Sequence, residues 1–488
     1  MNAELERVLR TIEDDMSAQV ADHFTKIAAD YFSDSANAGR PVGPRTQPAD
    51  LLQRLPRIPA EARPLEEVLA NVRDDVVAES NWLYHPRYMG HQVTAPLPAA
   101  VWAEPVVGAL NQSVAVREMS PAVTVLEKQL IDWMAGAVGF PAEAGGTLTS
   151  GGTEATFTAL LAARAHVLPD AWENGMEGRL PVVLCGEHAH YAVTRATAQL
   201  GLGLKRALQV GSADFRMDVR DLKTRLAQLG REGTPVMAVI ATAGSTPTGS
   251  FDDLHAIADV CDEHNVWLHV DGAHGASALL SDARRSMLAG IERARSVAWD
   301  PHKMMLMPLS VGVVLVRAEA ELDAAFRQRA PYLFHAQAGG RSWDQGGRSF
   351  QCSRRADALK LWVALQRYGT RAFGLLYDHF CDLTMELHRL LAQRTDFEVL
   401  HEPQCNILCF RYLADGQRSE AELNQLNHAL RVAYNTEGTG WLTTTVLNDQ
   451  RVLRTTLMNP RIRVEQLRAL VSELAERGWA LLPQTRND

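Results

Sequence analysis

Apolar positions at the start of the chain recur at helical spacing. Leu5, Val8, Leu9, Ile12, Met16 and Val20 fall on one face, so the chain is expected to open with an amphipathic helix. The stretch from Gly39 to Pro48, with Pro41 and Pro44 inside it, reads as a loop. Short helical patterns follow around Leu51–Leu55 and Leu65–Val77. From about residue 120 the texture changes. Pro121–Gly139, Thr153–Val167 and Asp253–Glu263 read as helices, whereas Val182–Cys185, Val236–Thr242, Val266–Val270 and Val311–Val316 read as buried strands. Such alternation predicts a mainly parallel sheet covered by helices on both faces, with ligands at the carboxyl ends of the strands. After about residue 375 a long helix precedes strand-like Phe397–Leu400 and Asn406–Tyr412. Ser419 with Glu422 forms a capping box, Asn448-Asp449 reads as a hairpin turn, and a helix over Val464–Arg477 ends a small α+β region.

A chain of 488 residues is too long for one small core. Three regions are expected: an N-terminal helical segment over 1–85, a large α/β domain over 86–375 and a small α+β domain over 376–488. The net charge of −9 argues against a nucleic-acid binder, which would show a basic face. Cys185, Cys261, Cys352, Cys381, Cys405 and Cys409 are scattered without CxxC pairing, as in a reduced chain without structural zinc. The opening residues carry acids and no apolar core of a signal peptide, and no apolar run approaches membrane-spanning length. The expected location is the cytoplasm.

Four segments carry candidate chemistry. In Asp300-Pro301-His302-Lys303 the lysine stands amid Trp299, Met304, Met305 and Met307. Burial there would lower its pKa and suit it to Schiff-base chemistry. Taken alone, it reads far more readily as a surface lysine on a loop. Val266–Ala273 is a buried strand that ends in Asp271, followed by Gly272 and Ala273. An acid so placed can pair with a ring nitrogen, and Ala273 leaves room for a flat ligand; the alternative is a helix cap. Ser150-Gly151-Gly152-Thr153 opens a helix, where free amides suit a phosphate monoester, although a plain glycine-rich cap would look the same. Glu187-His188-Ala189-His190 offers two histidines but no further metal ligands nearby, so His190 is better explained as an imidazole stacked on a flat cofactor. No metal is expected.

In this order the segments resemble the group II pyridoxal-5′-phosphate (PLP) dependent amino acid decarboxylases, the family of aromatic-amino-acid, glutamate and cysteine-sulfinate decarboxylases. The likeness runs from His85-Pro86-Arg87-Tyr88 to Arg454 and Asn459-Pro460. It includes Ser120-Pro121-Ala122 with Leu126-Glu127, Gly244-Ser245-Thr246 with Phe251-Asp252, and Cys352-Ser353-Arg354-Arg355 with Leu359-Lys360-Leu361-Trp362. The resemblance implies PLP fold type I, like aspartate aminotransferase, with a mainly parallel seven-stranded sheet and a small C-terminal domain. It implies that Lys303 holds the cofactor as a Schiff base, that Asp271 partners the ring nitrogen, and that His190 and Ala273 flank the ring. Gly151, Gly152 and Thr153 match the phosphate turn, with Asp300 and His302 nearby. Thr246 is similar to the residue near the phenolic oxygen. Tyr332, in Pro331–Gly340, is similar to the tyrosine that protonates the substrate α-carbon from a mobile lid. A homodimer with the active site at the subunit interface, clasped by the N-terminal helices, is implied as well.

For the substrate, the resemblance points to His91 and Gln92, to Arg117 and to Arg454 as substrate-side residues. Aromatic side chains are absent at 91 and 92, and Arg117 would attract a side-chain carboxylate or sulfinate if it faces inward. The reading leans to an acidic amino acid: glutamate, aspartate or cysteine sulfinate. The alternatives are a diamino acid (2,4-diaminobutyrate or lysine), to which Thr456–Pro460 is closer, or an aromatic one. A decarboxylative aldehyde synthase, or another PLP lyase, is a further alternative.

Overall fold

The computed structural model describes residues 2–37, 39–44, 46–328, 343–414 and 416–482. These form two compact units, one of residues 1–91, 389–398 and 410–488, the other of residues 92–388 and 399–409.

The larger unit is built on a seven-stranded sheet. Its strands are β1 (Gly145–Thr149), β2 (Val182–Gly186), β3 (Ala207–Val210), β4 (Val236–Thr242), β5 (Trp267–Asp271), β6 (Ser296–Trp299) and β7 (Gly312–Val316). Across the sheet they run β1-β7-β6-β5-β4-β2-β3. Only β7 runs against the rest: it pairs antiparallel with both β1 and β6, while β6, β5, β4, β2 and β3 pair in parallel. The other six strands therefore point one way, and their carboxyl ends share one edge of the sheet.

The central strands are mostly apolar because helices cover both faces. Every residue of β2, β5, β6 and β7 is buried. Two fully buried indoles anchor the middle of the sheet. Trp267 Nε1 donates to Ser296 Oγ at 2.8 Å and Trp299 Nε1 donates to Ser277 Oγ at 2.9 Å, so neither leaves a buried donor unmatched. Helix Gly152–Val167 buries its alanine- and leucine-rich middle, and Asp253 caps helix Leu254–His264 by accepting the Ala256 N–H at 3.0 Å.

In the other unit the expected opening helix is two, Ala3–Asp15 and Ala18–Asp34. Ser17 interrupts the apolar period, because its hydroxyl accepts the Val20 N–H and starts a new helix. No residue of the first helix is buried. Strands Thr443–Leu447 and Gln450–Thr456 form a hairpin, with φ of +49° at Asn448 and +63° at Asp449, the left-handed pair that a two-residue turn requires. Arg87–Met89 lies beside this hairpin: the Trp441 N–H donates to Arg87 O, Met89 N–H to Trp441 O, and Thr456 N–H to Met89 O. The capping box of Ser419 and Glu422 forms as expected. Among the described residues, no helix is long and apolar enough to cross a membrane.

The sheet agrees with the fold class read from the sequence. Three strands escaped that reading. Gly145–Thr149 is rich in glycine, Ala207–Val210 is a half-exposed edge, and Ser296–Trp299 is only four residues long.

Candidate active site

Five of the aligned strand ends carry the residues singled out above. The central strand β5 ends at Asp271, which is buried and whose Oδ1 accepts the Ala273 N–H at 3.2 Å. Its backbone is held on both sides, by register with Thr242 of β4 and Ala298 of β6. Two residues back on the same face, His269 is fully buried with Nδ1 2.9 Å from Ser296 Oγ. Burial pushes the His269 imidazole pKa down to about 4, although the negative charge of Asp271 works the other way.

Strand β6 leads directly into Asp300, which is only 1% exposed. Its Oδ2 gathers three groups: Lys303 Nζ at 3.2 Å, the Gly152 N–H at 3.0 Å and His302 Nε2 at 3.5 Å. Its Oδ1 is buried and makes no hydrogen bond among the described residues. His302 Nδ1 accepts the Val311 N–H at 3.1 Å, which puts the proton of the neutral ring on Nε2, toward Asp300. Burial is the largest cause holding the His302 pKa low. The apolar setting expected for Lys303 is present in Trp299, Met304, Met305 and Met307, all buried. The sequence reading missed the ion pair with Asp300, which an acid three residues before a lysine in a turn could have signalled.

After β2, His190 accepts the Ala192 N–H on Nδ1 at 3.2 Å, which leaves its proton on Nε2. Its pKa is lowered, foremost by burial; Asp271 and Asp300 oppose that shift and Lys303 reinforces it. The ring thus lies within electrostatic reach of all three. After β4, Thr246 is half-buried beside a hydroxyl chain in which Thr248 Oγ1 is 2.9 Å from Ser245 Oγ and 2.7 Å from Ser250 Oγ.

The turn after β1 is lined by glycines because nothing larger fits. A Cβ on Gly152 would lie 2.8 Å from that of Ala273 and 3.0 Å from Asp300 Oδ2; one on Gly151, where φ is +149°, would lie 3.0 Å from His302. Gly312, at the start of β7, was not foreseen: its Cβ would come within 2.5 Å of Gly151 Cα and 2.7 Å of Asp300 Oδ1. Ser150 donates both its N–H, at 2.8 Å, and its hydroxyl, at 2.6 Å, to Glu154 Oε2.

The larger unit therefore brings together Gly151, Gly152, Thr153, His190, Thr246, Asp271, Ala273, Asp300, His302 and Lys303. A flat pyridine bearing a phosphate fits this donor set. There is a turn stripped of side chains at a helix N-terminus, a buried carboxylate with a small residue beside it, a lysine, and a spare buried acceptor on Asp300. Tyr332 and its segment lie outside the described residues. Arg117 is exposed, and its backbone N–H donates to Asp344 Oδ1 at 2.8 Å. Gln92 is half-buried in the larger unit, whereas His91 and Arg454 belong to the smaller one. There, burial and then the charges of Arg454 and Arg431 lower the His91 pKa.

Comparison with known proteins agrees with this chemistry. Residues 48–413 match the family model described as the pyridoxal-dependent decarboxylase conserved domain. The chain is 33% identical over 351 residues to an aromatic-L-amino-acid decarboxylase of Bacillus atrophaeus, covering 72% of each protein. It is 32% identical to an L-2,4-diaminobutyrate decarboxylase of Rhizobium meliloti (strain 1021), over 87% of this chain and 84% of that one. It is 31% identical to the cysteine sulfinic acid decarboxylase of Rattus norvegicus, over 85% of each. The crystal structure of mouse CSAD superposes with a TM-score of 0.90 at 28% identity, covering 95% of this chain and 98% of that one. The chain belongs to the pyridoxal-dependent decarboxylase family and is a PLP-dependent amino acid decarboxylase.

Proposed function

We propose that this enzyme decarboxylates an acidic L-amino acid, glutamate, aspartate or cysteine sulfinate, as a homodimer, with Lys303 as the lysine that carries the cofactor. The observation behind the site assignment is the grouping of Lys303, Asp300, His190 and Asp271 at neighbouring strand ends. When bound, PLP supplies an electron sink for the pair left on the substrate α-carbon as CO2 departs. Asp271 keeps a proton on the ring nitrogen by offering a buried negative charge beside it. His190 would cover one face of the ring and Ala273, having no bulk, would lie on the opposite face. Gly151, Gly152 and Thr153 would receive the phosphate, Thr246 would lie near the phenolic oxygen, and Asp300 with His302 would orient Lys303 and the turn. Tyr332 returns a proton to the α-carbon. The exposed apolar stripe of Leu5, Val8, Leu9 and Ile12 suits a clasp on a second subunit.

The acidic preference is supported by one electrostatic observation. His91 lies within reach of two cations, Arg454 and Arg431, and no carboxylate contributes to its shift. Arg431 Nε is buried without a hydrogen-bond partner among the described residues. Such a group favours a side-chain anion and repels a side-chain ammonium. Gln92 and Arg117, in the larger unit, are assigned to substrate binding as well. The second reading, a diamino acid, is favoured by the segment Thr456–Pro460 and by the diaminobutyrate relative.

The test is release of CO2 from the twenty amino acids, DOPA, cysteine sulfinate and 2,4-diaminobutyrate, with peroxide and aldehyde followed in parallel. An acidic amino acid is expected to have the highest kcat/KM and to yield amine without peroxide. A diamino or aromatic acid turned over best sinks the preference. Stoichiometric aldehyde with peroxide sinks simple decarboxylation.

A further inference from the structure

Strand β1 lies at the edge of the sheet, with β7 as its only neighbour among the described residues. On an edge strand, every second residue turns its N–H and C=O away from the sheet, where they need another partner. For Leu148 that partner is a buried ion pair. Glu127 Oε1 accepts the Leu148 N–H at 3.3 Å, and Arg354 Nη1 donates to Leu148 O at 3.0 Å. The two side chains are joined at 2.7 Å and are 1% and 5% exposed. They stand in for an eighth strand, two residues before the turn. A second contact comes from the same short stretch: Gln351 Nε2 donates to Glu154 Oε2 at 2.8 Å, the oxygen that also holds the Ser150 N–H and hydroxyl. Residues 351–354 thus grip the turn at Leu148, through Glu127, and at Ser150, through Glu154.

We infer that Gln351 and Arg354, acting through Glu154 and Glu127, are positioning residues that hold the turn after β1 in the shape that binds the cofactor's phosphate. The inference rests on the proposed assignment of Gly151–Thr153 to that phosphate. The pair costs little to replace with apolar side chains of similar volume, whereas removing one partner leaves a bare buried charge. The double variant Glu127→Met/Arg354→Met therefore removes the hold on Leu148 without stranding an ion. Gln351→Ala, at a half-buried position outside the ion pair, removes the other.

The experiment titrates apo-enzyme with PLP and separately with pyridoxal, which has the ring and aldehyde but no phosphate, following visible absorbance. Losing two hydrogen bonds that shape the turn should weaken PLP binding about tenfold in the double variant, and losing one should weaken it severalfold in Gln351→Ala. Pyridoxal binding should stay within about twofold of wild type in both. A double variant that fails to fold leaves Gln351→Ala to decide. Equal losses for PLP and pyridoxal, or no loss for either, overturn the brace while leaving the assignment of the turn intact. A wild type that does not prefer PLP to pyridoxal overturns the assignment and the brace together.

Discussion

The turns after β1 and β5 face the same site but are held in different ways. Strand β5 sits mid-sheet, locked to β4 and β6, so Asp271 needs only the Ala273 N–H to fix its carboxylate. Among the described residues strand β1 has one neighbour, and its free edge is satisfied by the side chains of Glu127 and of Arg354, the latter 206 residues away in sequence. A central strand inherits its precision from the sheet, whereas an edge strand must be supplied with it. On the proposed assignment the chemistry follows the same division: the residue whose charge matters is at the centre, and the backbone whose shape matters is at the edge.

The comparison breaks most severely if the edge loses one charge. Arg354→Ala leaves Glu127 buried and unpaired, and should cost about 3–5 kcal/mol of stability, read as a lowered midpoint in urea unfolding. Asp271→Asn should instead leave the unfolding midpoint close to wild type and lower the rate of CO2 release by about two to three orders of magnitude, because it removes a buried charge rather than a structural pairing. A variant that melts as early as Arg354→Ala would refute the claim that the centre is held by its neighbours.

A pH series sharpens the same contrast. His269, on β5, has a folded pKa of about 4, below its unfolded value of 6.5. The unfolded chain therefore binds the proton first, and stability present above about pH 6.5 is lost as the pH falls toward 4, by about 3 kcal/mol. Asp252 acts in the opposite sense. Its pKa is raised to about 6, chiefly by burial, so its contribution is greatest in acid and is lost as the pH rises through 6. His269→Asn should flatten the acid limb of stability against pH; an unchanged limb would place the loss elsewhere. The smallest effects come from two glycines. Gly152→Ala should cost about 1–3 kcal/mol, since its Cβ meets Ala273 and Asp300, whereas Gly136→Ala, in a helix with open space around it, should gain about 0.5–1 kcal/mol. Thermal melts of the two variants check both signs.

Legibility in the sequence followed the same line between centre and edge. The strands over 236–242, 267–271 and 312–316 were readable, because burial on both faces demands predominantly apolar runs. Gly145–Thr149 was not, because its residues are chosen for close approach: Gly146 has Val314 O where a Cβ would be, at 2.4 Å. Lys303, Asp271 and the Ser150–Thr153 turn were legible as local motifs, and their order carried the resemblance. What ties them together was not legible. The contact of Gly152 with Asp300 spans 148 residues and that of Leu148 with Arg354 spans 206, and neither leaves a periodic trace.

The shared direction of six strands has a consequence for the folding equilibrium. The groups that would grip the cofactor lie between residues 151 and 303 and meet only when the intervening strands are in register. The unfolded chain cannot offer them together, so the cofactor binds the native state alone. At a free concentration one hundred times its dissociation constant, such a ligand adds about 2.7 kcal/mol to the stability of the whole sheet. The free concentration of the cofactor then sets not only how much of this enzyme is active but how often each molecule unfolds and is exposed to proteolysis.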